Sequence, residues 1–315
     1  MKAVKAHQIG GPEVLTVEDA PIPFPGAGEV LVEVHAASLN PIDARMLRTD
    51  GAHQHSNEHA LTPGFDLAGS VVEVGEGVQH IHVGDAVYGQ AAVNRRGTGS
   101  FAEYAVTMED SIARMPDNIS FTEAAAVPMA ACSAYQALVE HMHLSAGEKV
   151  LIHGGSGGIG TFAIQLAKHL GAFVATTVST QGIDYVRQLG ADVVINYETN
   201  SFEDELKDFD AVLDTVGGDI YHRSFKVLRQ SGIIVSMLSR PDEGLMQQHG
   251  VRSALETTKV DSKKLGKITD LIKSGVLIIN LADVYPLQQT PQAFRAKETE
   301  KILGKIAIEV KKSFA

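Results

Sequence analysis

A glycine-rich turn between an apolar strand and a helix lies near the middle of this chain. The strand is Lys149–His153, the turn is Gly154-Gly-Ser-Gly-Gly-Ile-Gly160, and the helix follows over Thr161–Leu170. The turn fits the pattern G-x-G-x-x-G at Gly155, Gly157 and Gly160. In this pattern the glycines allow a tight turn, a close approach of backbone to phosphate, and close packing of helix on strand. Because a helix N-terminus also favours an anion, the turn predicts a site for the pyrophosphate of a dinucleotide.

The position of the turn predicts a second domain. About 145 residues precede it, which is enough for a separate folding unit. The chain has 315 residues, and two domains are expected at that length.

Short strands separated by prolines and glycines are expected in the first third. Val30, Val32 and Val34 are spaced two residues apart, which is the period of a half-buried strand. The candidate strands are Ala3–Ile9, Val14–Glu18, Glu29–Ala36, Leu67–Val74, Asp85–Tyr88, Ser100–Val106 and Ile112–Arg114. Strands this short and this closely spaced predict a small barrel or sandwich.

From Ser120 onward helices and strands alternate. Ser120-Phe-Thr-Glu123 is a capping box that begins a helix. After the glycine turn, candidate strands at Phe173–Val178, Asp192–Ile195, Ala211–Asp214 and Gly232–Leu238 are separated by candidate helices. This order predicts a parallel sheet with helices on both faces. A further strand is predicted at Val276–Leu281, where an apolar run could pair with a second copy of the chain at a sheet edge.

Composition narrows the class of protein. The net charge of −11 disfavours nucleic acid or an anionic membrane as a main partner. Cys132 is the single cysteine, so neither an internal disulfide nor a four-cysteine zinc site can form. With no signal segment after Met1 and no apolar run of membrane-spanning length, a cytoplasmic enzyme is expected.

Several segments, in order along the whole chain, carry a resemblance to a known family. They are Asn40–Asp43, Pro63–Gly69, Val72–Gly77, Val83–Gly89, Gly99–Tyr104, Ser133–Leu138, the glycine turn, Gly190–Tyr197, Asp214–Gly218 and Gly304–Ile308. With these segments the chain resembles the zinc-independent quinone oxidoreductases, relatives of zeta-crystallin in the medium-chain dehydrogenase/reductase superfamily. The resemblance implies a β-rich GroES-like catalytic domain, an α/β Rossmann domain with a doubly wound parallel sheet, NADPH and a homodimer. The expected limits are residues 1–122 with 282–315 for the first domain and residues 123–281 for the second.

No metal is expected, although zinc alcohol dehydrogenases share this fold. Asn40 lies in the stretch where their first cysteine ligand would be, and Phe65 replaces a ligand histidine. Without thiolate or imidazole ligands a zinc route to alcohol oxidation is disfavoured. A polar segment carries His53, His55 and His59, for which we favour a polar loop over a metal site.

The expected catalytic residues are Asn40, Asp43 and Ser133. Asn40 either hydrogen-bonds the substrate oxygen or the nicotinamide ribose, or is a turn residue before a proline. Asp43 either orients that loop or is a helix N-cap. Ser133 resembles the family's hydroxyl near the nicotinamide, and otherwise is an ordinary helical serine. Lys305 either leans toward the cofactor from the tail or is a solvated lysine, and we favour the second.

The expected cofactor-binding residues lie in the turn and at the ends of the strands beside it. They are Gly155, Ser156, Gly157, Gly158, Ile159, Gly160, Ser179, Thr180, Tyr197, Asp214, Thr215, Val216, Met237, Leu238 and Ser239. Enzymes that use NAD place an acid about 20 residues past the glycines to bind the ribose 2′-hydroxyl. The segment Thr176–Gln181 has no acid there, and the hydroxyls of Ser179 and Thr180 suit a 2′-phosphate, so NADPH is predicted.

Three functions are therefore compatible with the sequence. The first is metal-free transfer of hydride from NADPH to quinones or similar electrophilic carbonyls. The second is reduction of the C=C bond of enones or 2-alkenals, which needs the same fold and cofactor. The third, from another class, is a non-catalytic NADPH-binding sensor or structural protein, against which Asn40, Ser133 and Asp214 argue. Pocket shape decides the substrate, so the sequence leaves the choice between quinone and enone open.

Overall fold

The computed structural model describes residues 1–49, 60–93 and 98–311, which form two compact units. The first unit comprises Met1–Met129, Val260–Lys273 and Ile279–Ala315, and the second comprises Ala130–Lys259 and Ser274–Ile278. His53, His55 and His59 lie outside the described residues. The domain limits expected from the sequence, residues 1–122 with 282–315 and residues 123–281, stay predictions.

Strands and helices are numbered separately in chain order. The strands are β1 Lys2–Ala6, β2 Leu15–Asp19, β3 Glu29–Ser38, β4 Asp66–Val74, β5 Ala86–Gln90, β6 Tyr104–Met108, β7 Ile112–Arg114, β8 Lys149–His153, β9 Phe173–Val178, β10 Val193–Asn196, β11 Phe209–Asp214, β12 Leu228–Ser236, β13 Arg252–Leu255, β14 Leu281–Pro286 and β15 Lys305–Glu309. The helices are α1 Pro41–Leu47, α2 Phe121–Ala125, α3 Pro128–Tyr135, α4 Gly158–His169, α5 Ile183–Gln188, α6 Phe202–Glu205, α7 Asp219–Ser224, α8 Glu243–His249, α9 Ser262–Lys273 and α10 Thr290–Thr299. A π-helical segment, Gln136–His141, continues α3.

The first unit is built on a seven-stranded sheet. Its strand order is β14-β15-β3-β4-β5-β7, and β6 pairs with β3. Only β14 and β15 pair in parallel among these strands, and β1 and β2 form a separate two-stranded sheet. Val30, Val32 and Val34 are buried in the core of β3, as their period of two predicts. Helix α9 belongs to this unit, since the hydroxyl of Tyr88 donates a hydrogen bond to the carbonyl of Leu265 (2.9 Å).

The second unit is a six-stranded parallel sheet. The strand order β10-β9-β8-β11-β12-β13 starts from a central β8 and extends in both directions, as in a doubly wound sheet. Leu151, Val212 and Ile234 are fully buried in three neighbouring strands, because a parallel sheet covered on both faces has no solvated side. The predicted fold class, a GroES-like β-rich unit with a Rossmann unit, is confirmed.

The strand predicted at Val276–Leu281 is wrong. The residues from 276 to 280 are not in a strand, and β14 begins only at Leu281. The side chain of Gln165 explains the difference, because it accepts a hydrogen bond from the amide of Ile278 (2.8 Å) and donates one to its carbonyl (3.0 Å). An amide side chain therefore replaces the neighbouring strand that this apolar run would need.

Two shorter observations complete the fold. The sequence analysis missed β13, whose four residues are mostly polar or half-exposed and lack a clear period.

Within residues 1–49, 60–93 and 98–311, no helix is both long enough and apolar enough to cross a membrane.

Candidate cofactor and catalytic sites

The glycine-rich turn joins β8 to α4 in the second unit. Gly154 has a φ of 70°, a conformation that favours glycine, and Gly157 is the N-cap of α4 without a side chain to cap it. The first N–H groups of α4 therefore have no partner within the helix. A Cβ on Gly160 would lie 2.3 Å from the carbonyl oxygen of Gly154, and one on Gly155 would lie 2.0 Å from Oγ1 of Thr176. The turn thus has the close packing and the free donors that a pyrophosphate site needs.

Two strand ends beside the turn are tied together by a buried carboxylate. Oδ1 of Asp214, at the end of β11, accepts hydrogen bonds from the amides of Val216 (2.9 Å) and Gly217 (2.8 Å). Oδ2 of Asp214 accepts one from the hydroxyl of Ser236 (2.7 Å) at the end of β12. Ser236, which the sequence analysis missed, accepts in turn from the amides of Leu238 (3.1 Å) and Ser239 (2.9 Å).

These bonds form a rim that brings together the residues expected at the end of β11 and those expected after β12. The hydroxyl of Thr215 donates to the carbonyl of His153 (2.7 Å) and so ties the rim to the start of the turn. Val216 and Leu238 remain about half exposed or more, at 49% and 60%. The rim therefore presents apolar side chains on a rigid backbone at the carboxyl edge of the sheet, where ligands of such sheets bind.

A chain of hydrogen bonds runs through the buried imidazole of His153. Nε2 lies 2.9 Å from the hydroxyl of Ser224, which itself donates to the carbonyl of Ile220 (2.6 Å). Since the Ser224 proton is used there, Nε2 of His153 carries the hydrogen and Nδ1 accepts from the hydroxyl of Thr177 (3.0 Å). Burial lowers the pKa of His153 to about 4, which keeps the ring neutral. The sequence analysis gave His153 no role.

The end of β9 holds the hydroxyls expected at a 2′-phosphate. Ser179 is buried, whereas Thr180 is exposed. Glu198 lies two residues past the end of β10. Because β10 is the parallel neighbour of β9, Glu198 also lies beside the end of β9. Its Oε2 accepts hydrogen bonds from the hydroxyl (2.6 Å) and the amide (3.0 Å) of Thr180. The sequence analysis looked for an acid only after β9; the pairing of the two strand ends is the signal that reveals Glu198.

Tyr197 and Arg187 lie near this edge in the sequence and are both exposed. The amide of Tyr197 donates to the carbonyl of Val178 (3.0 Å), and its side chain is 54% exposed. Arg187 forms an exposed ion pair with Asp184 (3.5 Å), which fits a solvated surface residue.

Ser133 lies on α3 in the second unit. It is buried, and its hydroxyl is 2.6 Å from the hydroxyl of Thr258. Three residues further on, the side chain of Gln136 donates to the carbonyl of Thr257 (3.1 Å) and accepts from the amide of Lys259 (3.2 Å). Ser133 therefore lies where α3 is held against the segment from residue 257 to residue 259.

Asn40 and Asp43 lie together in the first unit, in a capping box at the start of α1. Asn40 is the N-cap, and its backbone amide donates to Oδ2 of Asp43 (2.7 Å), which is the third helical residue. The alternative reading of Asp43 as the N-cap is therefore wrong. The Asn40 side chain donates from Nδ2 to Asp66 (2.9 Å) and accepts at Oδ1 from Nζ of Lys305 (2.6 Å).

Lys305 and Asp66 extend this capping box into a buried polar cluster. Lys305 is only 6% exposed, so the expectation that it is solvated is wrong. Its Nζ also donates to the carbonyl of Leu39 (2.9 Å) and lies 3.9 Å from Oδ2 of Asp66. Asp66 further accepts from the amide of Met129 (3.2 Å). We name Asn40, Asp43, Asp66 and Lys305 the buried polar cluster.

Burial shifts the protonation of this cluster. It raises the pKa of Asp43 to about 7, and the like charge of Asp66 adds to this effect, against the opposing hydrogen bond from the Asn40 amide and the charge of Lys305. It also raises the pKa of Asp66, against the opposing effect of Lys305. Burial lowers the pKa of Lys305 to about 8. Two carboxyls and one ammonium thus share a site where a full set of charges is disfavoured.

Phe65 and Cys132, which the sequence analysis weighed against a metal site, are both buried. Phe65 packs in the apolar core of the first unit, and Cys132 is buried on α3. Across the described residues, His, Cys, Asp and Glu form no group of three or more that could hold a metal ion.

The parallel sheet, the glycine turn and the rim at its carboxyl edge define a protein with a Rossmann-type dinucleotide-binding unit. Two families match the sequence, "Alcohol dehydrogenase GroES-like domain" over residues 26–117 and "Zinc-binding dehydrogenase" over residues 189–308. An NADPH-dependent alkenal/one oxidoreductase of Arabidopsis thaliana, described as chloroplastic, is 34% identical over 98% of this chain and 79% of that protein.

Solved structures agree with these matches. The quinone oxidoreductase of Coxiella burnetii superposes with a TM-score of 0.92 at 33% identity, covering 99% of both chains. The quinone oxidoreductase of Escherichia coli, solved in complex with NADPH, has a TM-score of 0.87 at 28% identity and covers 98% of this chain and 100% of its own. The chain therefore belongs to the medium-chain dehydrogenase/reductase superfamily, in the family of the quinone and alkenal/one oxidoreductases.

Proposed function

We propose that this chain is an NADPH-dependent oxidoreductase that reduces quinones or similar electrophilic carbonyls. The observation that carries the proposal is the glycine turn of β8 and α4, with its free N–H groups and its glycines in contact with backbone. The same fold occurs in relatives that are named for this chemistry. The E. coli neighbour was solved with NADPH, and the A. thaliana relative is named as NADPH-dependent.

The residues present fit such a cofactor. The amides of Gly158, Ile159 and Gly160, at the start of α4, would hold the pyrophosphate, whereas those of Gly155 and Gly157 donate to the carbonyls of Thr177 and Gly154 and hold the turn in shape. Ser156 lies in the middle of that turn. The rim of Asp214, Thr215, Val216, Met237, Leu238 and Ser239 would support the nicotinamide side, since its backbone is fixed by the Asp214 carboxylate. Ser179, Thr180 and Tyr197 would face the adenosine side. When bound, NADPH supplies the hydride.

The chain's own residues would then bind and orient the cofactor and the substrate and would exclude water. Asp214 fixes the rim through three hydrogen bonds and so leaves Val216 and Leu238 as an apolar wall. Asn40 is the proposed polar contact to substrate or ribose. An amide has two N–H groups and two lone pairs, and the buried polar cluster uses one of each, so one of each remains.

Asp43 and Ser133 complete the proposed catalytic set. Asp43 orients Asn40 by accepting its backbone amide. Burial raises the pKa of Asp43 to about 7, so this carboxyl changes its protonation state near neutral pH. Ser133 would contribute a hydroxyl, which the Thr258 hydroxyl orients. Reduction of a quinone needs no strong base beyond such groups.

A second candidate is reduction of the C=C bond of 2-alkenals or enones. A specific observation favours it, because the A. thaliana alkenal/one oxidoreductase is 34% identical over nearly the whole chain. The two reactions share the fold and the cofactor, and they differ in the atom that receives the hydride.

The test is oxidation of NADPH in the presence of a quinone panel and, separately, a 2-alkenal panel, with analysis of the products. Turnover with quinones supports the first proposal, and a saturated aldehyde or ketone as product supports the second. Binding of NADPH without turnover in either panel would support the non-catalytic alternative. Absence of any NADPH binding by fluorescence titration would contradict all three.

Three further properties are proposed with this function. The reaction is metal-free, a proposal supported by Phe65 and Asn40 at the positions that zinc enzymes use for ligands; retained activity after chelation, with no stoichiometric metal, tests it. The chain forms a homodimer, a proposal supported by the position of β13 at the edge of the parallel sheet. The segment Val276–Leu281 is not the expected edge strand. Light scattering tests the mass.

The location is cytoplasmic, as expected for a protein with a single cysteine, and fractionation tests it.

A further inference from the structure

Glu198 occupies the donors at the end of β9 that the sequence analysis assigned to a 2′-phosphate. Its Oε2 accepts both the hydroxyl and the backbone amide of Thr180, at 2.6 and 3.0 Å. The amide group of Asn196 donates to the same hydroxyl (2.9 Å) and accepts from the backbone of Glu198 (3.1 Å). The carboxylate is therefore held in place by a closed ring of hydrogen bonds through Thr180 and Asn196.

This ring lies at the edge of the sheet that serves the glycine turn. A Cβ on Gly182, two residues past Thr180, would lie 3.0 Å from both Cβ and Oγ of Ser156. The segment after β9 is thus in contact with the turn itself. In dinucleotide-binding sheets, the residue at the end of the second strand distinguishes the ribose 2′-hydroxyl from a 2′-phosphate.

The charge of Glu198 is of the wrong sign for a 2′-phosphate. A carboxylate accepts a hydrogen bond from a ribose hydroxyl but repels a phosphate dianion. Arg187, the cation that follows on α5, is ion-paired with Asp184 at 3.5 Å. A 2′-phosphate would compete with Glu198 for the hydroxyl and amide of Thr180.

We propose that Glu198 is a specificity-determining residue that weakens the selection of NADPH over NADH. The inference rests on the proposed function as a dinucleotide-dependent oxidoreductase and deepens it. With NADH, the carboxylate accepts the 2′-hydroxyl. With NADPH, the carboxylate leaves Thr180, whose two donors turn to the phosphate, and its negative charge remains close to the phosphate.

The experiment compares the dissociation constants of NADPH and NADH for the wild-type chain, Glu198→Gln and Asp204→Asn. Binding is followed by fluorescence titration or calorimetry, without substrate. Glu198→Gln keeps the size of the side chain and removes its charge. Asp204→Asn is the matched control, since it removes one charge from the exposed surface of helix α6 in the same unit and leaves the ion pair of Arg187 with Asp184 intact.

Glu198→Gln is expected to raise the ratio of Kd(NADH) to Kd(NADPH) by about tenfold, the effect of one charged hydrogen-bonded contact. Glu198→Lys should raise it further, because it supplies a cation for the phosphate. Competition by 2′,5′-ADP should strengthen in both variants relative to ADP. Asp204→Asn should leave the ratio within about twofold of wild type, since exposed charges are screened.

The outcomes separate this inference from the proposed function. If neither cofactor binds any of the proteins, the proposed function fails. If both bind and Glu198→Gln leaves the ratio unchanged, or changes it no more than Asp204→Asn does, the proposed function stands and the role of Glu198 is overturned.

Discussion

Lys305 donates a hydrogen bond from Nζ to Oδ1 of Asn40 at 2.6 Å, although 264 positions separate the two residues in the chain. This bond fixes the orientation of the Asn40 amide, since the opposite end must then face the Asp66 carboxylate. The ammonium also lies 3.9 Å from that carboxylate. One buried cation from β15 therefore orients the amide and balances the charge beside it.

We expect Lys305→Met to lower the free energy of unfolding by about 3–5 kcal/mol, the usual effect of leaving one member of a buried ion pair alone. Lys311→Met is the control, because Lys311 is half-exposed and pairs with Glu33 at 2.8 Å, so about 1 kcal/mol or less is expected. Adding Asp66→Asn to Lys305→Met should recover part of the loss. Urea unfolding measures each value. Equal effects at Lys305 and Lys311 would mean that Asp66 is protonated and needs no cation.

Asp43 should make stability depend on pH in the opposite direction to most carboxylates. Its pKa rises from 3.8 in the unfolded chain to about 7 in the folded one, so the folded state binds more protons between these values. Its contribution to stability is therefore fully present below about pH 4 and is lost as the pH rises through 7. Asp43→Asn keeps the acceptor for the Asn40 amide and removes the titration.

The free energy of unfolding of Asp43→Asn minus that of wild type should increase by about 3 kcal/mol as the pH is raised from 5 to 8, because only the wild-type protein loses the contribution of Asp43. The difference between the two urea unfolding curves measures it, and effects of other groups cancel in that difference. Asp184→Asn, at an exposed site, should stay parallel to wild type. If Asp43→Asn is also parallel, Asp43 is ionised in the folded protein throughout this range.

The fold was predictable because its signals are local. The glycine turn, the capping box at Ser120 and the alternation of Val30, Val32 and Val34 each depend on neighbours within a few residues, and each is found where the sequence indicates it. The prediction of a strand at Val276–Leu281 was wrong, although the segment is apolar as a buried strand would be. The reason is that the side chain of Gln165, 113 residues away, hydrogen-bonds the backbone of Ile278 in place of a neighbouring strand.

The candidate site was predictable only in part, for a related reason. Asn40 and Asp43 share one short motif and therefore appeared together. Lys305 and Glu198 act on residues that are distant in sequence or on a neighbouring strand, and nothing local distinguishes them from solvated charges. In the second unit, pairing of β9 with β10 brings Glu198 to Thr180, and in the first unit, pairing of β15 with β3 brings Lys305 to the buried polar cluster.

Near neutral pH, His153 should be neutral with its proton on Nε2. Its pKa falls from 6.5 to about 4 through burial, so its contribution to stability is present above pH 6.5 and is lost as the pH falls towards 4. The unfolding free energy of His153→Phe relative to wild type should rise by up to about 3 kcal/mol between pH 7 and pH 4.

Nitrogen NMR of the His153 ring checks the tautomer directly. We expect a protonated Nε2 that exchanges slowly with solvent, because Ser224 is its acceptor, and an unprotonated Nδ1. Thr177→Val should alter Nδ1 and leave Nε2 protonated. A protonated Nδ1 in the wild-type protein would refute the direction of this hydrogen-bond chain.

Gly160→Ala should separate cofactor binding from folding. A methyl group at Gly160 would lie 2.3 Å from the carbonyl oxygen of Gly154 and 2.6 Å from Cα of Gly155, so the backbone of the turn must move. Overpacking of about 1–3 kcal/mol corresponds to a roughly five- to 150-fold rise in the Kd for NADPH if the strain is relieved by opening the turn. Gly266→Ala is the matched control, because a Cβ at Gly266 on α9 has nothing within 4 Å. The control should bind NADPH as wild type does. Its free energy of unfolding should be about 1 kcal/mol higher than that of wild type, since alanine is the better helix former. Fluorescence titration and urea unfolding measure both effects, and wild-type affinity in Gly160→Ala would show that the cofactor does not depend on this turn.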